Sequence, residues 1–405
     1  MERYFVLVGG QVETEDVFLS YLPLAHVFDF VCECCILFRG AKIGFYRGDQ
    51  KTLVDDIGTL KPTLFVGVPR VFDRIYKRVN ALMDEGSPAK KLLFLFFFDQ
   101  KLAALKKGVK WDQASFIGDA LIFSKIKARL GGRVRILASG GAPLPQHLED
   151  WLKVTMCCPV VQGYGLTETC AASCVSMPDR PDQRGTVGPP LFSNECKLVP
   201  VPELGYVGTP EGGGEICFRG PSIMSGYYKS QDLTDEVLTK DGWFHTGDIG
   251  RIGVNGCVTI VDRKKQLFKL LQGEYVSPEK VEGIAAKSPL VGQIWVCGSS
   301  TESCVVAVIV PSDEAIKNHG GKEAACQSSD LESAILDDLE RVCRAEKLKG
   351  YEIPKAVLFH PEEWTPESGY VTPSFKLKRP ALQKHFQAEI DGLYAVLNAK
   401  PQASN

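Results

Sequence analysis

The stretch Asp241–Glu282, DGWFHTGDIGRIGVNGCVTIVDRKKQLFKLLQGEYVSPEKVE, joins two parts of the chain with different composition. It opens on the aromatic pair Trp243-Phe244, passes a Thr246-Gly247-Asp248 turn, runs through the strand-like GCVTIV and ends abruptly in Asp262-Arg263-Lys264-Lys265. Apolar strand residues that give way to four charged ones describe an element leaving a core for a solvent-filled crevice. Asp248 and Asp262-Arg263 are separated by a turn and one strand, so a hairpin brings them to one end of a small sheet. A carboxylate there can accept two ribose hydroxyls, and an arginine fork can hold hydroxyls or phosphate. A solvated charge run beside an Asp-Gly turn fits the same spacing.

Upstream, apolar strands alternate with helical periodicity. VFLSYLPLAHVFDFVCECCILFRGAKIGFY reads as strand, Pro23 turn, helix stopped near Gly40, and strand; PTLFVGVP is a further strand, closed by Pro69, and VFDRIYKRVNALM a further helix. This alternation predicts an α/β layered fold with a largely parallel sheet. His26, beside the proline turn, reads as structural or as a cavity residue. Residues 82–123 read as an inserted helical surface or lid, and their run Leu92–Phe98 (LLFLFFF) is too short to cross a bilayer; core packing is its first expectation and a dip into a membrane surface its second.

Two further segments carry polar chemistry among glycines. Val134–Ala138 reads as a strand, followed by the small-residue turn Ser139-Gly140-Gly141-Ala142-Pro143 and a helix from Pro145. Glycines admit a flat ring or a phosphate where Cβ atoms obstruct it, although a tight strand-to-helix turn has the same composition. In Val161-Gln162-Gly163-Tyr164-Gly165-Leu166-Thr167-Glu168-Thr169, Tyr164 can cover a base, Thr167 can bind a phosphate oxygen and Glu168 can hold Mg²⁺. No G-x-x-x-x-G-K-[ST] loop occurs in the sequence.

Downstream, residues 185–256 alternate short apolar runs with Gly and Pro, as in a small barrel or sandwich. Beyond Arg263 a smaller unit is expected, with helices over 278–286 and 331–348, strands IWVCG, CVVAVIVP and AVLFH, and the basic loop GYVTPSFKLKR after the last strand. Leu331, Ile335, Leu339 and Val342 share one helical face; Leu382, Phe386, Ile390 and Tyr394 share another. The tail KPQASN is expected to be disordered. These readings divide the chain into 1–184, 185–261 and 262–405.

Composition narrows the classes. A net charge of −2 over 405 residues gives no global case for nucleic acid. Fourteen cysteines without a dense framework, and a Cys32/Cys35 pair in an apolar helix, point to buried reduced thiols and a cytosolic chain. The start MERYFVLVGG has no signal-peptide pattern, and no apolar stretch is long enough to span a membrane.

The ordered set YLPLAHVFD, KPTLFVGVPRVFDRIY, LGGRVRILASGGAPL, VQGYGLTETCA, GTVGPP, GEICFRG, GWFHTGDIG, IVDRKKQLFKLLQGEYVSPEKVE and VTPSFKLKRP resembles the adenylate-forming, AMP-binding enzymes, and within them the long-chain acyl-CoA synthetases, most closely those of plants. The resemblance implies a large amino-terminal domain, layered α/β with a small β-barrel-like part, and a smaller mobile α+β carboxy-terminal domain. It implies ATP-dependent ligation of a long-chain fatty acid to coenzyme A through an acyl-adenylate, with ATP, Mg²⁺ and CoA. Gly140, Gly141, Ala142, Gly163 and Tyr164 would border the adenine; Thr167 would contact phosphate; Glu168 would hold Mg²⁺; Asp248 and Arg263 would hold the ribose. Lys376 would reach the reacting carboxylate and α-phosphate. Asp262 would be the hinge, and Lys265, Lys269, Gly273 and Tyr275 would belong to the side presented for CoA attack. Peripheral contact with the endoplasmic reticulum or a peroxisomal membrane fits such an enzyme; oligomeric state is not readable.

The chain departs from this family at its start, where about twenty residues precede YLPLAHVFD and MERYFVLVGGQVETE holds no phosphate-wrapping loop. By the resemblance roughly the first third of a typical enzyme is missing, which implies exposed sheet edges, ready aggregation and little activity. A disabled homologue that binds nucleotide or acyl-CoA, or serves as an interaction protein, is therefore the second reading. Phe30 stands where relatives carry Arg, and Leu271 where they carry a small residue.

Overall fold

The computed structural model describes residues 12–49, 52–84 and 86–399, so the starting MERYFVLVGG and the tail KPQASN lie outside the described residues. The chain divides into two compact units, one comprising 1–246 and 250–260 and the other 247–249 and 261–405.

The first unit is built on a six-stranded sheet in the order β2-β1-β3-β4-β5-β6, with β1 Val17–Ser20, β2 Lys42–Phe45, β3 Leu64–Gly67, β4 Ile136–Ser139, β5 Val160–Leu166 and β6 Ala171–Val175. β1 pairs parallel with β2 and β3, β3 with β4, and β4 with β5; only β6 runs antiparallel. The unbroken apolar runs of β1 and β3 are buried at every position, as parallel strands covered on both faces require. The helix Val27–Phe38 returns the chain from β1 to β2. His26 caps it, its Nδ1 accepting from the Phe28 amide at 3.2 Å, which makes this histidine structural.

Strand order reverses at β1, so the carboxyl ends of β1 and β3 open the crevice where sheets of this kind take ligands. The ends of β4 and β5 lie along the same edge because all four strands are parallel. The amide of Gly140 donates to the Gly67 carbonyl at 3.1 Å, fixing the turn after β4 to the end of β3.

The helix Pro88–Lys106 corrects one expectation. Within Leu92–Phe98 only Phe94 is buried, packed on Phe98 and Phe123, while Leu92, Leu93, Leu95 and Phe96 are exposed. Seven consecutive residues cover every side of a helix, and a core can claim only one of them. A second, four-stranded sheet, β10-β9-β8-β7, follows, with β7 Glu195–Val199, β8 Gly214–Arg219, β9 Phe244–Ile252 and β10 Val258–Arg263; Ile216, Phe218 and Val258 pack with Cys174 and Val187.

The second unit contains the two-residue strands β11 Phe268–Lys269 and β12 Tyr275–Val276 and a three-stranded sheet of β13 Val291–Cys297, β14 Val306–Pro311 and β15 Val357–Phe359. Alternation along β13 and β14 feeds two cores. Ile294, Val296, Ala307 and Ile309 pack against Leu331, Ile335, Leu339 and Val342, whereas Trp295, Cys297, Val306, Val308 and Val310 pack against Leu382, Phe386, Ile390 and Tyr394. Both helical stripes read from the sequence are thus buried. All fourteen cysteines are free, but Cys34 and Cys170 are exposed, so the expectation of buried thiols does not hold for these two.

Candidate functional site

In the first unit the sequence-derived residues collect at the carboxyl edge of the six-stranded sheet. Gly140 is buried after β4, and a Cβ built on it meets the Phe28 ring at 3.2 Å; Gly141, at φ +81°, is in the left-handed region, and Ala142 is exposed. Phe28 thus floors the glycine turn, a role not read from the sequence. Gly163 and Tyr164 lie on the last turns of β5, the Tyr164 ring centroid 6.2 Å from that of Phe218.

A bulge between Tyr164 and Gly165 re-aims the end of β5, and a Cβ at Gly165 falls 1.5 Å from the Ala171 carbonyl oxygen. Only glycine fits there. Thr167 and Glu168 then begin a 3-10 turn, Thr167–Thr169, held by Thr169 Oγ1 accepting from the Leu166 amide at 3.0 Å. Cys170 and Ala171 leave it with φ of +52° and +79°, strained values for side-chain-bearing residues. Thr167 is exposed and Glu168 half-buried.

The hydroxyl of Tyr227 donates to Glu168 Oε1 at 2.9 Å, and the Met224 amide donates to the Glu168 carbonyl at 2.8 Å. Burial, with the bond to Glu168 adding to it, pushes the Tyr227 phenol up to about 12, so it stays a donor. A half-buried carboxylate with one oxygen oriented by Tyr227 and an exposed hydroxyl beside it offers hard oxygen ligands, which fits Mg²⁺. Tyr227 carried no signal in the sequence beyond its place in an aromatic SGYY run.

The remaining charged candidates lie in the second unit. Arg263 Nε lies 3.6 Å from Oδ1 of the buried Asp248, as the hairpin spacing required. Asp262 is buried and accepts from the Arg263 amide at 2.6 Å, Ser277 Oγ at 2.6 Å and the Glu279 amide at 3.3 Å. Burial raises its carboxyl against the pull of those three donors and of Arg379. Glu279 rises to about 7 through burial and the Asp262 charge.

Lys376 sits in a tight loop in which Thr372 and Lys376 bond reciprocally, the Thr372 amide to the Lys376 carbonyl at 2.8 Å and the Lys376 amide to Thr372 Oγ1 at 3.0 Å, across Phe375 at φ +62°. Burial and then the nearby Arg263 lower the Lys376 ammonium, while Glu279 and Asp248 draw it back. Arg379, three residues on, grips Glu282 through both fork nitrogens at 2.8 and 2.7 Å, and Glu282 Oε1 also accepts the Val296 amide at 2.8 Å. This anchors the lysine loop to the helix Pro278–Ala285 and β13. Lys269 and Tyr275 pair across the β11-β12 hairpin, Lys269 Nζ 5.6 Å from the Tyr275 ring centroid, with Gly273 at φ +92° in the turn; Lys265 is exposed.

A switch-point sheet with a glycine-lined carboxyl edge, joined in sequence to a smaller α+β unit with a loop lysine, defines a two-domain α/β protein of the adenylate-forming class. The model of the AMP-binding enzyme family matches residues 3–228, and that of the AMP-binding enzyme carboxy-terminal domain matches residues 265–398; the chain belongs to this family. It is 46% identical over 394 residues to long chain acyl-CoA synthetase 4 of Arabidopsis thaliana, covering 95% of this chain and 59% of that protein. To human long-chain-fatty-acid–CoA ligase 1 it is 40% identical over 390 residues, covering 95% of this chain and 55% of the relative. The A domain of carboxylic acid reductase from Segniliparus rugosus, solved with AMP and a co-purified carboxylic acid, matches with a TM-score of 0.77 at 30% identity over 94% of this chain and 55% of that one. The chain therefore spans less than two thirds of the length of these relatives.

Proposed function

We infer that this chain carries the later part of an ATP-dependent long-chain acyl-CoA synthetase site, joining a fatty carboxylate to CoA through an acyl-adenylate. The observation that carries the reading is the gathering of Gly140, Gly141, Gly163, Tyr164, Thr167 and Glu168 at the carboxyl ends of β4 and β5, on the same sheet edge as the switch point at β1 and β3. The glycines leave room for adenine beside Tyr164, and Asp248, buried beside Arg263, is suited to the ribose hydroxyls. Carboxylate and triphosphate repel each other, and Mg²⁺ on Glu168 and Thr167 would offset that charge. Lys376 adds a cation where negative charge gathers on the reacting oxygens. Burial lowers its ammonium pKa, so it loses its charge at a lower pH than an exposed lysine.

For the second half-reaction the smaller unit would turn about Asp262, withdrawing Lys376 and presenting the Lys265 and Lys269–Tyr275 side to CoA. Closure of this kind keeps water from the adenylate. The exposed Leu92, Leu93, Leu95 and Phe96 beside exposed Lys90 and Lys91 support peripheral contact with the membrane that supplies the fatty acid.

The test is formation of AMP and acyl-CoA from ATP, Mg²⁺, palmitate and CoA. Any turnover the unsubstituted chain shows should be slower by about 10²–10³-fold in Lys376→Ala. A folded chain that binds AMP but turns nothing over contradicts the enzyme reading and favours the disabled homologue that keeps nucleotide affinity.

A further inference from the structure

A cluster outside the candidate site joins a thiol, an ammonium and a carboxylate. Lys101, on the helix Pro88–Lys106, is fully buried. Its Nζ lies 2.5 Å from Asp119 Oδ1, 3.6 Å from Cys157 Sγ and 5.2 Å from the centroid of the Phe123 ring. Asp119 opens the π-helical turn Asp119–Phe123, a rare conformation that recurs at functional positions. Cys157 is half-buried between the helix Gln146–Thr155 and β5, at φ +46°, with its carbonyl accepting Lys127 Nζ at 3.2 Å. Backbone conformation and that bond hold the sulfur against the lysine.

A buried ion pair is a poor way to gain stability, since apolar residues of similar volume usually serve as well. Here the pair also has a third member with redox chemistry. We propose that Lys101 and Cys157 form a peroxide-dependent covalent bridge, a sulfenamide between Nζ and Sγ, with Asp119 as the proton acceptor.

The first step forms an S–O bond and breaks the O–O bond of hydrogen peroxide: Cys157–SH and H₂O₂ give Cys157–SOH and water. In the second, Asp119 takes one proton from the Lys101 ammonium and the amine attacks sulfur. The S–N bond forms, the S–O bond breaks, and the hydroxyl leaves as water with a second amine proton. Sulfur is oxidised, peroxide is reduced, and the protein loses two hydrogens overall. Sulfenic acids condense in this manner with thiols and with nitrogen. Burial pushes the thiol up to about 11, against the pull of Lys101, so its oxidation is slow and needs a sustained peroxide dose. Cys158, the adjacent rival, is fully buried and raised to about 12. The bridge would tie a surface helix to the turn entering β5, the strand whose far end bears Gly163–Glu168.

The inference is independent of the enzyme reading and is tested without turnover. The whole chain is exposed to graded hydrogen peroxide, its free thiols are blocked and its peptides are weighed. The expected product is a cross-link between the Lys101 and Cys157 peptides, lighter than their sum by two hydrogens and reopened by dithiothreitol. It should be absent from Cys157→Ser, whose near-isosteric hydroxyl preserves packing, while Lys101→Met should leave Cys157 as an uncrosslinked sulfenic or sulfinic acid at the same dose. A Cys157–Cys158 disulfide, an oxidised Cys157 with Lys101 unmodified, or an unreacted Cys157 when the exposed Cys34 and Cys170 have been oxidised would each overturn the proposal.

Discussion

The candidate residues of the first unit and those of the second are held by opposite means. In the first unit, the edge after β4 and β5 is shaped by what is missing: glycine at 140 leaves room for the Phe28 ring, glycine at 165 lets backbone approach backbone, and left-handed backbone follows at Cys170 and Ala171. In the second, Asp262, Glu279, Glu282 and Arg379 form a network of buried or half-buried charges around the lysine loop, and geometry is held by ion pairs and amide donors. The difference shows that a glycine-lined sheet edge can be specified by sterics and a lysine loop by charge.

The contrast predicts different failures. The largest belongs to Gly165→Ala, whose methyl group would occupy the space of the Ala171 carbonyl oxygen. No side-chain adjustment relieves a clash with backbone, so loss of the folded state is expected, a destabilisation above about 4 kcal/mol, read as an absent or strongly lowered thermal transition. A melt within a few degrees of wild type would break the steric account.

Arg379→Ala comes next. It leaves Glu282 charged, mostly buried and without its fork partner, at a cost of about 3–5 kcal/mol in urea unfolding of the carboxy-terminal unit. Arg379→Lys should recover only part of this, because a lysine cannot grip both oxygens. Equal stability of Arg379→Ala and wild type would remove the charge network from the comparison.

The smallest effect sharpens the boundary between the two modes, because the first unit also buries carboxylates, among them Asp29 on the helix that follows β1. Burial lifts Asp29 to about 7, the Glu33 charge adding to it and the Ser20 hydroxyl opposing it, and its Oδ1 has no hydrogen-bond partner among the described residues. A raised carboxyl contributes stability that is full below the ordinary carboxylate range and lost as pH rises towards about 7. Asp29→Asn should therefore match wild type in acid and exceed it by up to about 4 kcal/mol above neutrality. Parallel stability profiles for the two proteins between about pH 5 and pH 8 would contradict the assignment.

How much of this was legible follows from the same contrast. Alternation of apolar strands and helical periodicity carried the α/β sheet, and the stripes at Leu331 and Leu382 carried the packing of the smaller unit, because periodicity records burial directly. Glycine turns and the Asp248–Arg263 spacing were legible because the partners lie within one hairpin or one strand-to-helix turn. The Tyr227–Glu168 bond spans 59 positions and the Arg379–Glu282 pair spans 97, and nothing local in either residue names its partner. The Leu92–Phe98 run misled in the other direction, since composition gives hydrophobicity without saying which side of the helix meets a core.

The most direct test of the central claim, that the glycine turn after β4 and the buried Asp248 both serve adenylate binding, is calorimetric titration of the chain with a non-hydrolysable acyl-adenylate mimic, comparing Gly141→Val with Asp248→Asn. Weaker binding in both variants, by about 1–3 kcal/mol each for a lost steric fit or an unpaired hydroxyl, is the predicted result. Wild-type affinity in either variant, with folding intact, would contradict the role given to that residue.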